Sequence, residues 1–128
     1  MRFLLAVIAA TVVISMSDWL FFGMLFHGRY AKTPELWRQI PEGKKIALSM
    51  LFAAIGSAAF IAYAHHLQIT TLAAISALTV HTWLAASLPQ TVTNTLYLKY
   101  DPVLVVSHSA GWLARLVIAA AAYCLVGV

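Results

Sequence analysis

Charge is what this sequence has least of. Only 9% of its 128 residues are Asp, Glu, Lys or Arg, where a soluble domain carries about 25%, and so few ionised groups cannot cover a water-soluble fold of this size. Lipid is the solvent that the composition requires. Cysteine is nearly missing as well. Cys124 stands alone, which excludes an intrachain disulfide, and its place in the last apolar run marks it as a packing residue. Also missing are zinc-ligand spacing, a phosphate-binding loop and a nucleophile elbow, so no metal, no cofactor and no catalytic machinery is expected. The net charge of +4 is too small and too localised to indicate nucleic acid. Five of the eight basic residues lie between Arg29 and Lys45, the arrangement of a loop that sets topology beside anionic headgroups.

What is present is hydrocarbon. Hydrophobic residues make up 62% of the chain, and the mean hydropathy is +0.88. Four apolar stretches, from Phe3 to Phe26, Ile46 to Ala64, Ile69 to Leu98 and Pro102 to Val128, each approach or exceed the roughly 20 residues that a spanning helix needs. The expectation is an all-α, integral membrane four-helix bundle forming one transmembrane domain over 1–128. The first stretch starts like a signal peptide, with Arg2 before "LLAVIAA", but its apolar run continues far beyond signal-peptide length and reads as a resident helix. No repeat, low-complexity tract or linker marks a second domain.

The connections carry the topology. In "HGRYAKTPELWRQIPEGKK", Thr33, Pro34 and Glu35 read as a cap, a first-turn proline and a carboxylate at the positive helix end. Leu36, Trp37 and Ile40 then share one side of a short interfacial helix ended by Pro41 and Gly43. Asp101 and Pro102 repeat the cap and first-turn proline before the last helix. The first and third connections hold Arg29, Lys32, Arg38, Lys44, Lys45 and Lys99, whereas the other side holds only Arg2. The positive-inside rule therefore predicts basic loops in the cytoplasm and both termini outside a cell inner (plasma) membrane.

Two ionisable groups lie inside the spans. Asp18 falls about 12 Å from the end of the first helix at Phe26, and Arg115 about 20 Å from Pro102, at 1.5 Å per residue. Aspartate is too short to snorkel that far, and an unpaired charge at such depth costs at least ~2.5 kcal/mol. Both helices rise from the same side, so Arg115 is the expected partner of Asp18. Polar and small residues also gather on single faces: Thr11, Ser15 and Asp18; Ser49, Ala53 and Ser57; Ser87, Gln90, Thr91 and Asn94; and His108, Gly111, Arg115, Ala119 and Ala122. Such faces pack together in membranes.

The pair admits two meanings. A buried ion pair can serve only to fix register and orientation. Alternatively, Asp18, Arg115, Gln90, Asn94 and His108 line a cytoplasm-facing cavity for a small polar or anionic solute, an ion or a proton, because intramembrane ionisable residues are functional by default. Pro89 removes one backbone donor just before Gln90 and Thr91, which loosens the third helix there. His65 and His66 are adjacent and point apart if helical, and His81 has no second histidine at its depth, so neither metal nor bis-histidine haem is expected. Trp19, Trp37, Trp83 and Trp112 read as packing residues and interfacial anchors.

The order of features, "DWLFFGMLFHGRY" with Trp37 after it, a small-residue helix, a helix with Trp83 and Asn94, a short turn and an alanine-rich last helix, resembles the domain of unknown function 1761 family of small bacterial four-helix membrane proteins. The chain departs from that pattern at the end of helix one, where "FFGMLFHG" replaces a tight aromatic-proline turn. The resemblance implies architecture and transfers no catalytic residue.

Three functions are compatible with these residues. The first is a small transporter or channel subunit, homo-oligomeric because four helices enclose little on their own. The second is a non-catalytic scaffold or accessory subunit that binds another membrane protein through the small-residue second helix. The third is a lipid-modifying enzyme using carboxylate, histidine and asparagine.

Overall fold

The computed structural model describes residues 1–32, 40–97 and 101–127, and every regular element among them is helical. Four helices are long and apolar enough to cross a membrane: α1 (Arg2–Leu25), α2 (Glu42–His66), α3 (Leu72–Tyr97) and α4 (Pro102–Val126). The protein is therefore a membrane helical bundle. The interfacial helix expected around Leu36 and Trp37 lies outside the described residues.

Caps explain where the helices begin. The Asp101 carboxylate accepts from the Val103 backbone N–H at 2.8 Å, with Pro102 in the first turn, as the sequence predicts. The Thr71 hydroxyl accepts from the Ala74 N–H and starts α3, three residues later than the apolar run at Ile69. Hydropathy alone cannot see such a cap. Gly127 ends α4 at φ 67°, a left-handed conformation that glycine adopts without strain.

Two helices change pitch. α1 becomes a π-helix over Trp19–Leu25, and α3 does so over Trp83–Ser87 before resuming at Leu88–Tyr97. In α3 the cause is Pro89, which lacks an N–H and whose ring crowds the carbonyl four residues back, that of Ala85. Widening the turn moves that carbonyl aside. The loosening expected from Pro89 thus takes the form of a π-turn just ahead of it. In α1 the Trp19 ring lies over Gly23, where an added Cβ would meet Trp19 Cδ1 at 3.1 Å.

α4 is the hub. It packs on α1, on α2 and along the length of α3, and α1 also packs on α2, whereas α3 rests chiefly on α4. Both termini lie at one end, where Arg2 Nη1 donates to the Gly127 carbonyl at 3.4 Å. We call this the terminal end and the opposite one, with Arg29, Lys44 and Lys45, the basic end.

The core sits in the terminal half, among Ala6, Ala10 and Ile14 of α1, Phe60, Ile61 and Ala64 of α2, Ile75 of α3, and Ala119, Ala122 and Tyr123 of α4. Alanines let these backbones approach closely, the usual basis of helix association in lipid. Tyr123 closes that end by donating its hydroxyl to the Ile69 carbonyl at 2.8 Å. Towards the basic end the packing opens. No residue of Trp19–Leu25 or Leu88–Tyr97 is buried, and burial on α2 begins only at Ala53. Ser49, expected on the inward face of α2, is exposed. Cys124 is exposed too. It lies on the side of α4 away from Ala119 and Ala122, so it faces out and does not pack as expected.

Candidate functional site

The boundary between the packed and open halves is an ion pair. Arg115 Nε donates to Asp18 Oδ1 at 2.8 Å and Nη2 to Oδ2 at 2.6 Å, a two-pronged geometry in which the planar guanidinium matches the carboxylate edge. The side chains are 21% and 12% exposed. The guanidinium carbon also lies 4.9 Å from the Trp112 ring centroid, within cation–π range. Arg115 therefore has a carboxylate on its edge and an indole on its face. The structure brings together the two residues that the sequence pairs, across 97 positions.

The hydroxyls expected beside Asp18 are engaged elsewhere. Thr11 donates to the Val7 carbonyl and Ser15 to that of Thr11. Ser57, Thr79 and Thr91 likewise bond the carbonyl four residues back. These bonds satisfy each hydroxyl within its own helix, which hydrocarbon demands. Ser107 and Ser109 of α4 instead bury hydroxyls that have no partner among the described residues.

Next to the pair, on its basic-end side, lies a groove of ≈ 230 Å³ between α3 and α4. Ser87, Gln90, Thr91, Asn94, Val105, His108 and Trp112 line it. Three of the five residues proposed from sequence thus face one space: Gln90, Asn94 and His108. Asp18 and Arg115 do not line it, because Trp112 stands between His108 and Arg115 on α4. The five residues divide into a closed pair and an open groove, since Arg115 meets Asp18 about two helical turns along α4 from His108. No residue lining the groove carries a formal charge apart from the titratable His108. The His108 ring packs against Phe22 of α1, with centroids 5.2 Å apart, and Gly111 gives Phe22 room, since an added Cβ there would stand 3.4 Å from its Cζ.

A second, smaller crevice of ≈ 40 Å³ adjoins this groove deeper in the bundle. It runs between α2 and α4 past Phe52, Gly56 and Phe60 to Ala119, and Trp112 and Arg115 belong to its wall. Trp112 is therefore shared by both spaces. From the sequence Trp112 reads as a packing residue or interfacial anchor. The signal that could have found it was its spacing, four residues after His108 and three before Arg115, which puts all three on one side of a helix.

Two further contacts hold the frame. The Trp83 indole N–H donates to the Ser109 carbonyl at 2.9 Å, tying the π-turn of α3 to α4. At the basic end, Arg29 Nη1 lies 3.3 Å from Asp101 Oδ2, joining the helical turn His27–Tyr30 after α1 to the cap of α4. His65 and His66 are exposed, and His81 bonds the Ala77 carbonyl through Nδ1 at 2.7 Å. No group of three potential metal ligands occurs among the described residues. No family model, curated protein or solved structure matches the chain.

Proposed function

We propose that this protein is a small polytopic membrane protein that binds a small polar solute, an ion or a proton in a groove open to the cytoplasm. The observation that carries this reading is the groove itself. Two amides and two hydroxyls of α3, the span whose mean hydropathy of 1.3 is the lowest of the four, converge with the His108 imidazole of α4 on one space. Polar side chains within a span usually face a bundle interior or a water-filled space.

In this reading Asp18 and Arg115 lie beyond the inner end of the groove, behind Trp112, and opening their pair would couple the groove to the terminal end. The basic loops lie in the cytoplasm, both termini outside, and the first loop rests on the surface of the cell inner membrane through a short helix. Homo-oligomerisation would complete any path for solute, because α3 is flanked chiefly by α4 alone. The likeness to the domain of unknown function 1761 family agrees with this architecture and adds no activity.

The test is flux in proteoliposomes. Glycerol, urea and protons are followed for wild type and for the Gln90→Leu, Asn94→Leu double variant. The expected result is a flux above that of empty liposomes which the double variant abolishes. Equal fluxes in all three preparations would overturn the reading. A second reading, a scaffold for another membrane protein, draws on the exposed outer side of the small-residue α2 at Leu48, Leu51 and Ile55. It predicts stable co-purification with a partner and no flux.

A further inference from the structure

The groove and the crevice have opposite chemistry and one wall in common. The groove, towards the basic end, offers hydrogen-bonding side chains. The crevice, deeper in the bundle, is mainly apolar and follows Phe52, Gly56 and Phe60. Trp112 borders both and is 43% exposed. Phe52, on the rim of the crevice, is 64% exposed and so open to the bilayer side. Water has little to gain in such a crevice, and a molecule confined to the groove would leave it unfilled.

We infer that the two spaces form one site for a single membrane-dissolved amphiphile, with a compact uncharged head among Gln90, Asn94 and His108 and a hydrocarbon chain laid over Gly56 towards Phe60. This rests on the reading of the groove as a binding site and names its ligand class. The head is uncharged because no lining residue carries a formal charge apart from the titratable His108, while Gln90 and Asn94 offer both donors and acceptors. The guanidinium at the junction already directs two donors at Asp18 and its face at Trp112. An anionic head would therefore meet an arginine whose charge is already balanced. The size of the head is bounded as well: ≈ 230 Å³ lies below the roughly 300–1,000 Å³ of pockets for drug-sized ligands. The chain enters from the side, since an added Cβ at Gly56 meets nothing within 4 Å. Glycine leaves the crevice open there, and a larger side chain would fill it.

The experiment uses the full chain in phosphatidylcholine nanodiscs with a photoactivatable monoacylglycerol, whose glycerol head is small and uncharged, and maps the cross-linked residues by mass spectrometry. Wild type should label around Phe52 to Phe60 and Trp112 to Ala119, and excess monoolein should suppress that labelling. Gly56→Leu, which blocks the chain, and Gln90→Leu, which removes a head contact, should each weaken labelling about tenfold while leaving the unfolding midpoint of the empty protein unchanged. Diffuse labelling that monoolein does not suppress would overturn the inference. Labelling lost in Gln90→Leu but intact in Gly56→Leu would also overturn it, leaving a groove for a small solute. Specific labelling at the crevice that neither variant weakens would sink both readings.

Discussion

The terminal and basic halves of this bundle are built from the same four helices yet hold together differently. In the terminal half, alanines and aliphatic side chains close on one another until Ile61 and Ala64 have no exposed surface. In the basic half, among the described residues, only α4 keeps buried residues, such as Leu104 and Ser107, and polar side chains line the space left between helices. Lipid offers helices no hydrophobic reason to associate, so contact depends on close packing and on polar bonds. Where α1, α2 and α4 have small residues at matching depths the helices close. Where α1 presents Trp19 to Leu25 and α3 the segment after Pro89, they do not.

The ion pair at the boundary gives the sharpest way to break this contrast. Asp18→Asn or Arg115→Gln leaves one charge at depth without its partner, and each should lower stability in detergent by about 3–5 kcal/mol. The double variant should recover much of that loss, because no uncompensated charge remains. Single variants as stable as wild type would show that the boundary is not held by the pair.

A core truncation compares the two halves directly. Ile61→Ala, at a site with no exposed surface, should cost about 2–4 kcal/mol. Val92→Ala, in the open half and 47% exposed, should stay within about 0.5 kcal/mol. Both are read from the unfolding midpoint. Equal losses would mean that the open half is packed in the bilayer after all.

The smallest expected effect concerns the link between α3 and α4. Trp83→Phe keeps the ring and removes the indole donor to the Ser109 carbonyl, a loss of about 1 kcal/mol. Hydrogen exchange should rise along Leu72–Tyr97 and stay unchanged in α1 and α2. A rise spread evenly over the molecule would show that α3 unfolds together with the rest.

Much of this architecture is legible in the residues alone. Four spans, the capped start of α4 at Asp101, and the partnership of Asp18 with Arg115 all come from hydropathy, cap chemistry and the cost of a lone buried charge. Such arguments work because they depend on depth, which a helix converts directly from residue number. The division of the five site residues is not legible in that way. Depth says nothing about azimuth once a helix changes pitch, and the π-turns at Trp19–Leu25 and Trp83–Ser87 rotate every residue beyond them. Ser49 and Cys124 are misplaced by periodicity for a related reason: it identifies a face but not whether a neighbour reaches it.

The sequence by itself determined that the chain spans a membrane four times as helices and that Asp18 needs a counter-charge, because hydrocarbon tolerates neither unsatisfied backbone nor an unpaired ion. Only the tertiary structure decided that the pair lies beyond the groove without lining it, that Trp112 stands between them, and that Gln90, Asn94 and His108 share an opening. Those outcomes depend on which small residues meet at which depth across helices, and that is set by packing between segments far apart in the chain.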